Sequence, residues 1–210
     1  MLRSSRYKFI FVHAPKNAGS SVAGQLIPYA DYRPFKIFTT PMRKIGFPIN
    51  LGAEPLAAHS TALEIKNLLG NSFHDYFSFG FSRDPYDRLL SRFFYSKYTK
   101  VRNPYLSLFK NCPTVNDYVS NVLGTTHFPK KQVDYFYDHQ SKLLVDYVGK
   151  VEQMKLSLEY ISAKIGLNIP YSHVNKSRNK SAYDALSTSS IDKINKYFML
   201  DFTEFGYSML

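Results

Sequence analysis

The stretch KFIFVHAPKNAGSS, from Lys8 to Ser21, decides the fold because a strand-like run passes in it directly into a helical pattern. Residues Tyr7 to Val12 are rich in strand-forming side chains and predict a buried β-strand. From Ser20 onward the apolar residues fall at helical spacing; Ser20 or Ser21 can cap this helix, and Pro28 ends it. The stretch therefore predicts a strand, a loop and a helix N-terminus in succession.

The loop in this stretch has the composition of an anion-binding site. Small residues let a ligand approach the N–H groups at a helix start, and Lys16 adds an ammonium group. The lysine precedes Gly19, whereas in the Walker A loop, G-x-x-x-x-G-K-[ST], it follows the glycine. An ordinary strand-to-helix turn with a solvated lysine has a similar composition. The loop by itself therefore indicates an anion without naming it.

A second strand leading into a helix lies in DYFSFGFSRDP, residues 75–85, where phenylalanines alternate with small or polar residues. Arg83 follows the strand's C-terminal end, Asp84 can cap the next helix, and Ser91 lies two helical turns further on. An arginine and a serine at these positions can converge on one anion. The alternative is that Arg83 pairs with Asp84 or Asp87 and that Ser91 is a packing residue.

The remaining pattern alternates between strands and helices. The predicted elements are a strand at Phe35–Thr39, a helix from the Thr61–Glu64 capping box to Gly70, short helices and loops over residues 98–142, a strand in LLVDYVGKVEQ (143–153), a helix ended by Gly166, and a helix over Ser189–Met199. Such alternation favours an α/β fold with a parallel sheet flanked by helices. Ligands of these sheets bind beyond the C-terminal strand ends, where the Lys16 loop and Arg83 both lie. Two anion sites at adjacent strand ends suit a nucleotide with phosphates at both ends of its ribose.

Length and composition bound the remaining expectations. With 210 residues, 44% of them hydrophobic, the chain is expected to form one domain over residues 1–210. The formal net charge of +11 implies anionic partners. The single cysteine, Cys112, allows no intrachain disulfide. The apolar run Phe9–Val12 is too short for a signal-peptide core or a membrane span, so a soluble, cytoplasmic protein is expected. The six histidines are scattered, which predicts no built metal site.

Taken together, these motifs resemble a known family. FVHAPKNAGSS resembles the 5′-phosphosulfate loop of the 3′-phosphoadenylyl-sulfate-dependent sulfotransferases, and FGFSRDPYDRLLSRFFY resembles their 3′-phosphate motif. VDYVGKVEQM, HVNKSRNKS and YFMLDFTEFGY are similar to later blocks of the carbohydrate branch, which includes heparan sulfate 2-O-sulfotransferase-like enzymes. The resemblance runs from Lys8 to Tyr207 and implies a P-loop-like three-layer α/β/α fold with a central parallel sheet. Asn17-Ala18-Gly19-Ser20 replaces the commoner Thr-Gly-Gly-Thr of that branch.

The resemblance also implies an activity: transfer of a sulfuryl group from 3′-phosphoadenylyl sulfate to an acceptor hydroxyl, on a glycan or glycoconjugate. Lys16 would contact the phosphosulfate and stabilise charge on the bridging oxygen. The other residues implied to bind the nucleotide are Asn17, Ala18, Gly19, Ser20 and Ser21 in the loop, Arg83 and Ser91 at the 3′-phosphate, and Arg178 and Lys180 in a segment that either closes over the nucleotide or is a solvated basic loop. No metal is expected to take part.

His59 is the candidate general base. A neutral imidazole can accept a proton near pH 7, and in the carbohydrate branch a histidine precedes the helix that leads to the 3′-phosphate strand. AAHSTALEI matches that position. The alternative is that His59 is an ordinary residue before a helix cap. His13 is expected to pack against or orient the loop, and His139 and Gln140 are possible acceptor contacts. Glu152 is either a supporting carboxylate or a helix-start acid.

Two other functions are compatible with the sequence. One is an ATP-dependent kinase with a P-loop-like site, against which the absence of the Walker A order speaks. The other is a basic nucleic-acid-binding module, which the positive charge and the many aromatic residues permit. The basic charge is dispersed and no known nucleic-acid motif is present, so nucleic acid is not an expected partner. The sequence does not indicate an oligomeric state.

Overall fold

The computed structural model describes residues 1–31, 59–98, 112–126, 128, 130–170 and 183–210. The strand predicted at Phe35–Thr39, and the predicted site residues Arg178 and Lys180, lie outside the described residues. The strands are β1 (Leu2–Ser4), β2 (Phe9–Val12), β3 (Phe77–Ser82) and β4 (Tyr147–Lys150). The α-helices are α1 (Gly19–Leu26), α2 (Ala62–Leu69), α3 (Pro85–Tyr98), α4 (Val115–Val122), α5 (Val133–Phe136), α6 (Met154–Ile165), α7 (Thr188–Tyr197) and α8 (Met199–Phe205). Short 3-10 helices cover Ile27–Tyr29, Gly70–Asp75 and Val151–Gln153.

The four strands form one sheet in the order β1-β2-β3-β4. Strands β2, β3 and β4 are parallel, and the short β1, which the sequence pattern did not predict, pairs antiparallel with β2. Val12 lies opposite Gly80, and Ser82 lies opposite Lys150. The carboxyl ends of the three parallel strands therefore share one edge of the sheet, and this edge leads into the Lys16 loop and Arg83.

Helices cover both faces of the sheet. On one face Phe9, Phe11, Phe79 and Phe81 pack against α1 and α6 in a single buried cluster. On the other face Ile10 and Val12 pack with residues of α2, α5 and α8. This alternation follows from the two-residue period of a strand, because successive side chains point to opposite faces. The three layers confirm the predicted α/β fold with a central, mostly parallel sheet.

A third apolar cluster lies among helices α3, α4 and α7 and the start of α8. It contains Tyr86, Leu89, Leu90, Phe93, Tyr118, Ile194, Phe198 and Phe202, together with six further buried residues. Because one side of α3 is fixed in this cluster, the residues on its other sides keep a defined position next to the carboxyl edge of the sheet.

The sequence predicted most helix boundaries and missed two. The Thr61–Glu64 capping box is present, and the Asp84 carboxylate accepts hydrogen bonds from the amides of Tyr86 and Asp87. The expectation that Ser20 or Ser21 caps α1 is wrong, since the helix begins at Gly19 after Ala18, whose φ of 54° is left-handed. The helix expected over Ser189–Met199 is divided at Phe198, a fully buried residue between α7 and α8. Within the described ranges, no helix has both the length and the apolar character needed to cross a membrane.

Candidate active site

The loop between β2 and α1 has an unusual backbone. Lys16 and Ala18 have φ values of 70° and 54°, in the left-handed region that non-glycine residues rarely adopt. Residues of alternating handedness turn successive N–H groups toward one side, which forms a concave anion-binding nest. The carbonyl of Ala18 accepts the amides of Ser21 and Val22 at 3.0 and 3.3 Å, so Gly19 and Ser20 precede the first amide hydrogen bonds of the helix. The loop is thus built to present backbone donors to an anion.

Gly19 is required by the ring of His13. A Cβ atom at position 19 would lie 1.8 Å from Cδ2 and 1.9 Å from Nε2 of His13, so a side chain there would displace the ring. The same ring stacks on Phe11 at 5.7 Å and meets the ring of His59 at 4.5 Å, both between centroids. Burial first, then the charge of His59, lowers the pKa of His13 to about 4, which keeps this ring neutral near pH 7.

Lys16 lies among other cations. Its ammonium nitrogen is 4.1 Å from the centroid of the Tyr95 ring on α3. Burial first, and then the positive charges of Arg92 and Arg83, lower the pKa of Lys16 to about 8. Arg92 was not predicted from the sequence, although it follows Ser91 directly and lies one helical turn before Tyr95. Arg92 and Arg83 are therefore close enough to Lys16 to repel its charge, and a multiply charged anion bound there would relieve this repulsion.

Arg83 joins the two strand ends. One guanidinium nitrogen, Nη1, donates to the carbonyl of Lys16 at 3.4 Å, and the other, Nη2, is 3.6 Å from the carboxylate of Asp87. The side chain is 13% exposed, so the guanidinium lies at the protein surface only in part. The sequence left open whether Arg83 binds an anion or pairs with Asp84 or Asp87. In the structure Arg83 pairs with Asp87 and also contacts the loop. Ser91 is half-buried on α3, two turns beyond Arg83.

Asn17 holds the loop from inside. It is 1% exposed, and its Nδ2 donates to the carbonyl of Phe81 at 2.6 Å and to Oε1 of Gln132 at 2.7 Å. Arg88, 2% exposed on α3, donates to the carbonyls of Pro15 and Lys130 at 3.2 and 2.8 Å. The donor atom of the Asn17 side chain is therefore engaged within the protein, and its oxygen cannot donate to an anion. Any contact between Asn17 and a bound anion would come from its backbone N–H.

His59 lies two residues before the N-cap of α2 and is exposed. Its Nδ1 is 3.0 Å from the carbonyl oxygen of His13. A carbonyl oxygen only accepts hydrogen bonds, so Nδ1 carries the proton, and in the neutral ring Nε2 keeps its lone pair. The hydrogen bond thus ties His59 to the Lys16 loop and leaves Nε2 as its basic atom.

The whole sequence was compared with known protein families, curated proteins and solved structures. Residues 1–208 match the sequence profile of the Sulfotransferase family. The chain belongs to the sulfotransferase family. No curated protein and no solved structure matches it. The match spans β2, the Lys16 loop, β3 and the Arg83 end together, so the two strand ends belong to an enzyme that transfers sulfate.

Acidic and tyrosine side chains form a hydrogen-bond network next to the candidate site. Glu152, in the 3-10 helix that follows β4, accepts hydrogen bonds from the backbone amide of Asp84 at 2.8 Å and from the hydroxyl of Tyr207 at 2.9 Å. The hydroxyl of Tyr183 donates to Asp87 at 2.8 Å. Burial raises the pKa of Asp84. Glu152 thus fixes the start of α3 against β4. In the described ranges, no three His, Cys, Asp or Glu side chains are grouped to hold a metal ion, and a metal-free site stays a prediction.

A cavity of about 540 Å³ lies between α2, α5 and α8. Its lining begins at Thr61, two residues after His59, and includes His139, one of the two possible acceptor contacts. The other, Gln140, is exposed, and its backbone N–H donates to the carboxylate of Asp138. The residues that line this cavity include neither His59 nor Lys16, Arg83 and Ser91.

Proposed function

We propose that this sulfotransferase moves a sulfuryl group from 3′-phosphoadenylyl sulfate to a hydroxyl of a carbohydrate, with residues 1–210 acting as one domain. The observation that carries the proposal is the grouping of Lys16, Arg83 and Arg92 around a backbone nest at two adjacent strand ends. A donor with a phosphosulfate at the 5′ position and a phosphate at the 3′ position places anions at both ends of its ribose. The two strand ends supply one cationic site for each.

The residues fit distinct roles in binding the donor. Lys16 and the helix-start amides of Gly19 and Ser20 bind the 5′-phosphosulfate, with Ser21 contributing a hydroxyl. Arg83 and Ser91 bind the 3′-phosphate, and Arg92 adds charge between the two. Asn17 and Ala18 contribute backbone groups only, since the Asn17 side chain is held by Phe81 and Gln132. Arg178 and Lys180 remain proposed contacts from the HVNKSRNKS segment.

The donor supplies an activated sulfuryl group, and the chain supplies position, charge and a base. The acceptor oxygen forms a bond to sulfur while the bond from sulfur to the bridging phosphate oxygen breaks, releasing adenosine 3′,5′-bisphosphate. Lys16 stabilises the negative charge that develops on that bridging oxygen. Nε2 of His59 takes the proton of the acceptor hydroxyl, since its Nδ1 is already protonated toward the carbonyl of His13.

The cavity whose lining begins at Thr61, two residues after His59, supports a saccharide as the acceptor. Its lining offers hydrogen-bonding groups suited to sugar hydroxyls, from Asn67, Asp134, Tyr137, Asp138 and Glu204. Four carboxylates, those of Glu64, Asp134, Asp138 and Glu204, face one lysine, Lys130. This negative lining favours a neutral or amino sugar over a densely sulfated chain, because like charges repel. Within the carbohydrate branch, an acceptor less anionic than heparan sulfate is therefore preferred.

Titration calorimetry with adenosine 3′,5′-bisphosphate tests the donor. We expect binding without added metal and a clear preference over 5′-AMP. Absence of binding, or equal affinity for the two nucleotides, would contradict the proposal, and magnesium-dependent ATP binding would favour a kinase instead.

A sulfuryl-transfer assay with radiolabelled donor tests the acceptor. The panel pairs neutral and amino-sugar oligosaccharides with sulfated ones of the same length, followed by mass analysis of the products. We expect label on the neutral or amino-sugar set. Exclusive transfer to sulfated chains would overturn the assignment of the cavity.

A further inference from the structure

We propose that Gln132 is a positioning residue that fixes the two anion-binding strand ends to each other, so that the two phosphates of one nucleotide bind cooperatively. The inference rests on the proposed function, because it assumes a ligand with two phosphate groups. Gln132 directly precedes α5, carries no charge and was not among the residues predicted from the sequence.

The side-chain amide of Gln132 contacts both strand ends at once. Its Oε1 accepts from Nδ2 of Asn17 at 2.7 Å and from the backbone N–H of Arg83 at 2.8 Å. Its Nε2 donates to the carbonyl of Arg83 at 2.8 Å. Because a backbone N–H only donates and a carbonyl only accepts, the two Arg83 contacts fix the orientation of the amide.

Gln132 is itself held in place. It is fully buried, and its backbone N–H donates to one carboxylate oxygen of Asp201 at 2.9 Å. The next amide, of Val133, donates to the other oxygen of Asp201 at 2.9 Å. Asp201 is also fully buried and lies 4.0 Å from the guanidinium of Arg88. The amide that joins the loops is thus anchored to α8 and α3 through Asp201.

Moving one strand end relative to the other would break buried hydrogen bonds. A buried polar group left without a partner destabilises a protein more than the loss of a hydrogen bond that water can replace. The Lys16 loop and Arg83 therefore behave as one rigid unit. A nucleotide whose first phosphate binds at one end then finds the second site already at the correct distance, which reduces the ordering cost of the second contact.

The test measures how much a second phosphate adds to binding. Calorimetry with adenosine 3′,5′-bisphosphate, 5′-AMP and 3′-AMP is run on the wild type and on Gln132→Met, which keeps the side-chain length but removes the amide. We expect the affinity for each monophosphate to change little and the extra affinity of the bisphosphate to fall by about fivefold or more. If the substitution only destabilised the protein, the affinities for the three nucleotides would either stay unchanged or fall by the same factor.

Two further variants complete the test. Asn116→Leu is the matched control, since the Asn116 amide also joins two backbone segments, donating to Ala185 and accepting from Ser187 at 2.9 and 3.0 Å, away from both loops. Asn17→Leu removes the hydrogen bonds from the loop to Gln132 and to the carbonyl of Phe81, and leaves the contacts between Gln132 and Arg83 in place. It should also reduce the extra affinity of the bisphosphate.

The outcomes separate the two proposals. A wild type without preference for the bisphosphate removes the proposed function and this inference together. A wild type that prefers the bisphosphate, with Gln132→Met and Asn17→Leu keeping the full preference, overturns the inference alone.

Discussion

At the scale of single residues, Gly19 shows how closely the loop is packed. Gly19→Ala would place a methyl group on the His13 ring, 1.8 Å from its Cδ2, so the ring must move and the loop with it. We expect this variant to lose stability and to bind nucleotide weakly. Gly24→Ala is the control on the same helix, because a Cβ there meets nothing within 4 Å. It should stabilise the protein by about 0.5–1 kcal/mol. Thermal unfolding and calorimetry of both variants measure the contrast, and equal behaviour would contradict it.

His59 is expected to act on turnover and not on nucleotide binding. Removing a general base typically lowers the rate by about 10²–10⁴-fold, so His59→Ala should show such a loss with nearly unchanged affinity for adenosine 3′,5′-bisphosphate. His74, another exposed histidine, lies in the 3-10 helix before β3 and gives the matched control. Steady-state assays of His59→Ala and His74→Ala make the comparison. Full activity in His59→Ala would remove His59 as the base.

The charge state of Lys16 gives a pH dependence with a defined sign. Its pKa of about 8 means that the free ammonium loses its proton as the pH rises through 8. Nucleotide affinity should therefore fall above pH 8, and binding near that pH should take up a proton, because a bound anion favours the charged form. Calorimetry in buffers of different ionisation enthalpy measures the uptake.

Two substitutions of Lys16 check this assignment. Lys16→Arg, which stays charged, should bind with little pH dependence in this range, and Lys16→Ala should abolish turnover. A wild-type affinity that stays constant through pH 8 would count against Lys16 as the titrating group.

Sequence patterns predicted Lys16 and Arg83 because strand ends can be found from hydrophobic alternation. They missed Gln132 and Arg92, and they named Asn17 as a nucleotide-binding residue without showing where its side chain points. Whether an amide faces a ligand or another buried amide depends on partners far along the chain: Asn17 and Gln132 are 115 positions apart. Composition and spacing carry no signal for such a contact.

At the scale of secondary-structure elements, the cap of α2 fixes where His59 lies. Thr61→Ala removes the capping box with Glu64 and should cost about 1 kcal/mol of stability. Because His59 precedes this cap by two residues, turnover should fall as well, with nucleotide affinity unchanged. Thr114→Ala removes the same kind of box, with Asp117, from α4. It should lower stability without lowering turnover. Urea denaturation and activity assays test both, and equal turnover in the two variants would contradict the coupling.

The elements themselves were largely predictable. The alternating phenylalanines of β3, the Asp84 cap and Gly166 at the end of α6 all appear where local patterns placed them. The start of α1 was not predictable, because Ala18 replaces a capping side chain with a left-handed backbone that serves the loop. The three-residue β1 was too short to give a periodic signal.

At the scale of the whole molecule, burial decides what an ion pair contributes. Arg88 on α3 and Asp201 on α8 are both buried and 4.0 Å apart, so this ion pair connects the two helices. Arg88→Met leaves a buried carboxylate without its cation and should cost about 3–5 kcal/mol. Lys155 and Glu159 are also 4.0 Å apart but largely exposed. Lys155→Met should therefore change the free energy of unfolding very little. Denaturant titrations of both variants measure the difference, and similar losses would refute the role of burial.

The pairing of Arg83 with Asp87 has a kinetic consequence for the complete enzyme. At a separation of 3.6 Å, the carboxylate of Asp87 serves as an internal counter-ion where the 3′-phosphate is proposed to bind. Arrival of nucleotide then exchanges one anion for another instead of neutralising a bare cation. Dissociation of the product nucleotide is assisted in the same way, because the Asp87 carboxylate can pair with Arg83 again as the phosphate leaves. A strongly cationic site that carries its own counter-ion can in this way release an anionic product and bind the next donor molecule.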